Sequence, residues 1–227
     1  ARGPALRGDS ELRTGNADSI FFDPSFRTSE GRFLQRSDSG SSQDPIFPIQ
    51  IGRVRRMSSA NPPIRIGHGY DLHRLEPIAP AGSGRPFILG GIRFDHDRGP
   101  VGHSDGDSLL HAITDALLGA LGREDIGQLF PDTDPAFDNA DSRRFLERAV
   151  EIVRESGYRI GNLDATVILE QPRLGSRKME IRRHLAEILG IGVDEVNLKG
   201  KSHEKVDAIG EGRAIEVHVV VLLLKEG

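Results

Sequence analysis

The sequence predicts an α+β fold, an α/β sandwich in which helices pack on one face of a mixed β-sheet. Three observations carry this expectation. After Asn61-Pro62-Pro63, short apolar stretches that read as strands alternate with longer stretches of helical period, the pattern of a layered α/β domain. Each helical stretch is amphipathic, so it has one face to bury and one for water. No run of about 18 apolar residues occurs, so no membrane-spanning helix is expected.

Residues 64–71 and 87–94 read as strands, the second broken by Gly90-Gly91. Residues 105–121 read as a helix with Leu109, Ile113, Ala116, Leu117 and Ala120 on one face; Gly119 weakens it and Gly122 ends it. A second helix fits 142–156, with Asp141 as N-cap, Phe145, Ala149, Ile152 and Val153 turned inward, and Gly157 after it. A strand is expected at 163–170, then a helix at 176–189 built on Ile181, Leu185, Ile188 and Leu189. Strands at 194–199 and 214–224 complete the domain.

The 227 residues divide near position 60. Residues 1–60 hold nine Arg against seven acids, no Lys and no sustained hydrophobic period. They are expected to form a disordered or weakly ordered extension, and 61–227 the catalytic domain. Arg and Ser together suggest a transit peptide, but the seven acids speak against it. Bacterial cytoplasm is therefore expected over plastid. Met57 lies shortly before the first strand, and the domain is expected to need nothing before it. The formal charge is -4 and the part beyond residue 60 is acidic. Without a basic cluster, nucleic acid is not the expected partner. The chain has no Cys, which excludes disulfides and leaves only N and O ligands for a metal.

Chemistry concentrates in two segments, Gly69-Tyr70-Asp71-Leu72-His73 and His103-Ser104-Asp105-Gly106-Asp107-Ser108-Leu109-Leu110-His111. On an extended backbone Asp71 and His73 point to the same side. One Asp and two His drawn from these segments are a three-ligand set for a divalent transition metal, with one position left open. Asp107 and Asp115 flank His111 at i-4 and i+4, and either is placed to orient its imidazole. The stretch Asp125 to Asp134 reads on composition as a polar turn, although Asp125 and Asp132 flank a stiff Phe130-Pro131 element suited to a hydroxylated ligand. Lys199-Gly200-Lys201-Ser202-His203-Glu204-Lys205, at a strand end, suits a phosphate or nucleotide, or is a charged loop.

Taken in order and spacing, Ile66 to His73, His103 to Gly119, and Asp125 to Asp134 resemble the 2-C-methyl-D-erythritol 2,4-cyclodiphosphate synthase family, over roughly residues 64–225. The resemblance implies a homotrimer with active sites between neighbouring subunits. It implies a phosphorus–oxygen lyase that converts a CDP-linked methylerythritol 2-phosphate into the cyclic diphosphate and CMP, in the non-mevalonate isoprenoid pathway. Asp71, His73 and His111 match zinc ligands, and Asp71 to His73, including Leu72, border the substrate. His103 and Ser104 match a substrate-contacting loop, His103 in a transition-state-stabilising place. Asp125, Ile126, Gly127, Phe130, Asp132, Thr133 and Asp134 match the segment around the methylerythritol hydroxyls. Leu169, Glu170, Gln171, Pro172, Arg173, Leu174 and Gly175 match the loop that packs around cytosine. Lys201, Ser202, His203 and Glu204 match the segment that receives the CDP phosphates and ribose from the adjacent subunit. There Ser202 takes the second stabilising place, and Glu204 the place of a magnesium or manganese ligand.

The chain departs from the family at Gly200-Lys201-Ser202-His203, where many members have a Thr-rich run, and at Ala208, where many have an aromatic residue. Gly210-Glu211-Gly212-Arg213-Ala214 exchanges the charges of a common family segment that lines a cavity on the trimer axis. The implied reaction uses the substrate's own 2-phosphate oxygen as nucleophile, so orientation can lower the barrier by roughly 7–11 kcal/mol, and two divalent ions neutralise the phosphoryl charge. Two other readings use the same residues: a metal-dependent phosphodiesterase or pyrophosphatase with water as nucleophile, and a zinc-stabilised module without catalysis.

Overall fold

The computed structural model describes residues 62–102, 104–131 and 140–227, all within the unit Arg55–Gly227. The extension expected over residues 1–60 lies outside the described residues. The first strand, β1 (Ile64–Pro77), runs six residues further than the apolar alternation suggests. Polar His73, Arg74 and Glu76 hide its second half, which is held by pairing rather than by pattern. The Gly90-Gly91 break proves to be a turn between two-residue strands, β2 (Ile88–Leu89) and β3 (Ile92–Arg93). Both glycines have positive φ, 60° and 75°, the conformation of the tight turns that follow strand twist. A short strand, β4 (Arg98–Pro100), then pairs antiparallel with the end of β1.

Helix α1 (Ser108–Ala120) begins three residues later than expected, because Asp107 is its N-cap and accepts from the backbone N–H groups of Leu109 and Leu110. All five predicted inward residues of α1 are buried. A one-turn helix, α2 (Ile126–Leu129), precedes α3 (Arg143–Glu155). The N-cap of α3 is Ser142 rather than the expected Asp141, whose carboxylate accepts from Arg143 N at 2.9 Å from one position further out. Strand β5 (Tyr158–Ile168) starts five residues before expectation and ends two before it. Gly161 lies at a register shift that disguises the alternation of Tyr158 and Ile160. Helix α4 (Lys178–Leu189) follows a single 3₁₀ turn and ends on left-handed Gly190. Strand β6 (Val196–Lys201), the one-turn helix α5 (Asp207–Gly210) and strand β7 (Ala214–Lys225) complete the domain.

The main sheet has the order β4-β1-β7-β5-β6. It is mixed: β5 and β6 run parallel, and the other neighbours antiparallel. The core lies between one sheet face and α1, α3 and α4. Each wholly buried Leu or Ile of α1 contributes about 1.5–3 kcal/mol relative to exposure. The opposite face, along β1 and β7, exposes Ile66, Tyr70, Leu72 and Val220 among the described residues.

Helix α1 and strand β1 approach each other very closely. A Cβ on Gly67 would lie 1.8 Å from the Ala116 carbonyl oxygen, and one on Gly69 would lie 1.8 Å from that of Ala112. Only glycine lets the helix backbone come this close. The alternation of β1 then carries the next two residues on that face, Asp71 and His73, towards the same helix.

Candidate active site

Asp71 and His73 leave β1 on the face that Gly67 and Gly69 open, and His111 meets them from the first turns of α1. Each of the three offers a ligand atom, and these atoms lie within 4.8 Å of one another. Asp71 Oδ2 is 2.6 Å from His73 Nδ1, and the buried Ser108 hydroxyl lies 3.3 Å from the same nitrogen. Burial of the His73 ring pushes its pKa down, but the hydrogen bond and charge of Asp71, with the charges of Asp107 and Asp105, outweigh this and raise it above 6.5. One carboxylate and two imidazoles in a chain without thiols suit a divalent ion such as zinc with a coordination position left open.

The groups that orient His111 are not those expected. Asp107 is fully buried and spends its carboxylate on the backbone: Oδ1 accepts from Gly90, Leu109 and Leu110, and Oδ2 from Gly91. Burial pushes its carboxyl up to about 6 against those four N–H groups. Asp115 accepts from Ile126 N at 2.8 Å and so ties α2 to α1. Capping and loop anchoring have taken both acids away from His111. Instead, Ser142 at the start of α3 places its hydroxyl 2.7 Å from His111 Nε2 and donates to Asp105 Oδ1 at 2.5 Å. With the hydroxyl proton committed to Asp105, Nε2 is the donor to Ser142, which leaves Nδ1 as the basic nitrogen of His111. The Ser104 hydroxyl lies 3.3 Å from the same Nε2. Ser142 is separated from His111 by 31 positions in sequence, so no local motif announces it.

Around this cluster, Asp125 caps α2 by accepting from Gln128 N at 3.0 Å. Ile126 and Gly127 form the first turn of α2, where composition alone suggested a polar turn. The Phe130 ring packs 4.6 Å from that of Phe145, which lies 6.2 Å from His111. The Leu72 side chain projects from the opposite, exposed sheet face. His103, Asp132, Thr133 and Asp134 lie outside the described residues.

A second feature lies at the ends of β5 and β6, where a cavity of about 550 Å³ opens. Its walls include Leu169, Pro172, Arg173, Leu174 and Gly175 from one turn, and Lys201, Ser202 and Glu204 from the other. Gln171, His203, Ala208 and Glu211 are not in these walls: His203 faces Asp207 at 2.9 Å, and Glu211 pairs with Arg213. Arg173, Lys178, Lys201 and Lys205 give the cavity a cationic lining, and the Ser202 hydroxyl donates to Glu204 at 3.2 Å. Glu204, Lys205 and Asp207 all have positive φ, between 51° and 63°. Backbone strain of this kind persists where the surrounding structure imposes it, and it gathers at ligand-binding segments. Sequence reasoning missed Lys178 in this wall; a helix start and a strand end meet there only in three dimensions. Asp71, His73 and His111 do not line the cavity, so one chain presents two separate sites.

Residues 64–224 match the model of the YgbB family. The chain is 54% identical over 164 residues to the 2-C-methyl-D-erythritol 2,4-cyclodiphosphate synthase of Oryza sativa, described as chloroplastic, covering 72% of this chain and 71% of that one. It is 47% identical to the synthase of the same name from Trichlorobacter lovleyi, across 72% of this chain and 100% of that one. Among solved structures it resembles IspF from Plasmodium falciparum in complex with CDP, with a TM-score of 0.63 and 35% identity, over 74% of this chain and 100% of that one.

Proposed function

Because the chain belongs to the YgbB family, we propose that it catalyses the reaction of its named relatives. It cyclises 4-diphosphocytidyl-2-C-methyl-D-erythritol 2-phosphate to 2-C-methyl-D-erythritol 2,4-cyclodiphosphate with release of CMP, a step of isoprenoid precursor synthesis. The observation that carries this reading is the convergence of Asp71, His73 and His111 in a chain so similar to those synthases. The 2-phosphate oxygen of the substrate attacks the β-phosphorus, and the bond between that phosphorus and the CMP oxygen breaks. The nucleophile is already anionic, so no side chain has to remove a proton from it.

Asp71, His73 and His111 would hold zinc, with Ser142 and Asp105 fixing the His111 ring. When bound, zinc supplies Lewis-acid stabilisation of phosphoryl charge. Arg173, Lys178, Lys201 and Lys205 bring positive charge to the diphosphate of the nucleotide, Ser202 offers a hydroxyl to it, and Glu204 supplies a carboxylate for a magnesium or manganese ion. The 169–175 turn encloses the cytosine. The relative from Plasmodium falciparum binds CDP, and a cavity of about 550 Å³ with a cationic lining is suited to that ligand. Asp125, Gly127 and Phe130, with His103, Asp132, Thr133 and Asp134, form the methylerythritol side of the site, where His103 and Ser202 stabilise the transition state.

Since the metal cluster and the nucleotide cavity are separate on one chain, we also propose a homotrimer in which each active site joins the two from neighbouring copies. The apolar residues that the face of β1 and β7 exposes among the described residues, Ile66, Tyr70, Leu72 and Val220, support this, because such a patch calls for a partner. Among the described residues no helix is long and apolar enough to cross a membrane. The chloroplastic relative from rice favours the plastid over the bacterial cytoplasm. Phosphorus NMR of the purified protein with its CDP-linked substrate tests the reaction. Cyclic diphosphate and CMP are expected; a linear diphosphate would instead mean that water is the nucleophile.

A further inference from the structure

The alternation that turns Asp71 and His73 towards α1 turns His68 and Tyr70 to the opposite face of the sheet. On β7, Glu216 and His218 share that face, since Val217 and Val219 are buried on the other. Tyr70 is paired with His218 in the strand register, which sets His68 diagonally across from His218. Nε2 of His68 lies 3.3 Å from Nδ1 of His218. The other nitrogen of that ring, His218 Nε2, lies 2.7 Å from Glu216 Oε1. An ionised carboxylate only accepts, so His218 Nε2 carries the proton and Nδ1 presents its lone pair to His68. The Tyr70 ring packs on His218 with centroids 5.0 Å apart. The His218 ring is thus held on two sides, with its bare nitrogen facing a second imidazole.

We propose that His68 Nε2 and His218 Nδ1 form a second site for a divalent transition metal, with Glu216 orienting the His218 ring. Two nitrogens each about 2.0–2.1 Å from a tetrahedral ion lie about 3.3–3.4 Å apart. The pair already stands at 3.3 Å, which is long for a hydrogen bond donated by N–H. A carboxylate on the far nitrogen of a ligating histidine is the usual support of such a site, because it fixes the tautomer and makes the free nitrogen more basic. Without metal, His68 Nε2 donates to His218 Nδ1. On binding, the neutral His68 ring shifts its proton to its own Nδ1, so no proton is lost. Two neutral imidazoles suit zinc, nickel or copper and not magnesium or calcium, which need oxygen ligands. With two protein ligands and water in the remaining positions, the ion is held more weakly than at Asp71, His73 and His111 and exchanges with solvent. Both ligands come from one chain, so the site needs neither the reaction nor the trimer proposed above.

Isothermal titration with zinc tests this on the full chain, loaded with zinc and then freed of loosely held metal by gel filtration. The wild type is expected to take up one further zinc per chain, and excess magnesium is not expected to compete for it. His68→Gln and His218→Gln are each expected to abolish this uptake. Glu216→Ala keeps both ligands but loses the support of His218, and its affinity for the further ion falls about tenfold or more. His73→Ala, defective at the other cluster, still binds zinc at His68 and His218. The substituted side chains lie on the sheet surface, so without added zinc the glutamine variants are expected to melt with the wild type. No uptake by the wild type beyond the first ion, or an uptake that persists in both glutamine variants, overturns the assignment. If His73→Ala retains as much zinc as the wild type after gel filtration, the Asp71, His73 and His111 assignment has failed instead, and the glutamine variants still decide this one.

Discussion

The hydroxyl of Ser142 lies 2.7 Å from Nε2 of His111 and passes that contact on to Asp105 at 2.5 Å. A serine at the start of α3 therefore holds the ring of a metal-ligand candidate on α1, and an aspartate holds the serine. Groups that fix the far nitrogen of a metal-bound histidine are typically worth 10–100-fold in affinity or activity. Ser142→Ala is expected to raise the dissociation constant for zinc about tenfold or more, with a smaller loss of zinc in Ser104→Ala, whose contact is longer. Competition with a chromophoric chelator measures both. Unchanged zinc affinity in Ser142→Ala would show that the ring is held by packing alone.

Replacing Asp71, His73 or His111 by Ala is expected to remove most bound zinc and nearly all cyclisation, because two remaining ligands do not retain the ion. Elemental analysis beside the phosphorus NMR assay checks this. Full zinc content in all three variants would remove the metal assignment.

The raised pKa of His73 sets the direction of the pH dependence. In the metal-free protein the protonated ring bonded to Asp71 adds stability that is fully present below pH 6.5 and is lost as pH rises through the raised value. Zinc needs the neutral ring, so its binding strengthens over the same rise. The gap between the melting temperatures of zinc-loaded and metal-free protein should widen from about pH 6 to about pH 8. Calorimetry at a series of pH values measures the gap, and one that stays flat would mean that His73 does not take part.

Gly69→Ala forces a Cβ to within 1.8 Å of the Ala112 carbonyl oxygen. It is expected to destabilise the domain by about 3 kcal/mol or more, and to weaken zinc binding as α1 is pushed off β1. Gly119→Ala is the contrasting control. Its Cβ would meet only the His68 carbonyl oxygen at 3.8 Å, and alanine inside a helix should stabilise by about 0.5–1 kcal/mol. Thermal denaturation of the pair checks both signs.

If the two sites belong to neighbouring copies, variants defective at different sites should complement one another. Mixing His73→Ala with Ser202→Ala or Arg173→Ala after partial denaturation is expected to restore a fraction of cyclisation that neither variant shows alone. Light scattering gives the copy number. An active monomer would contradict the trimer.

The amphipathic periods of α1, α3 and α4 are read directly from the sequence, because a helix that buries one face must repeat its apolar residues every three or four positions. The Asp71-x-His73 pair is legible for the same kind of reason, since strand alternation alone puts both on one face. Family resemblance named His111 as the third ligand, and the fold brings it beside them. The reach of β1 to Pro77 and the early start of β5 were not legible, because pairing partners hold residues whose own pattern is broken by charge or by Gly161. Sequence spacing also proposed the wrong supports for His111. Asp107 and Asp115 are near in the helix, but orphan backbone N–H groups at Gly90, Gly91, Leu109, Leu110 and Ile126 claim them first. Which polar group satisfies which is settled only by the packing of α3 against α1, which delivers Ser142 from 31 positions away. The unpaired oxygen of Glu170 is likewise a product of tertiary structure. The chain specifies a carboxylate, but only the enclosure formed where β5, β6 and α4 meet closes its Oε2 off from water without a hydrogen-bond partner among the described residues.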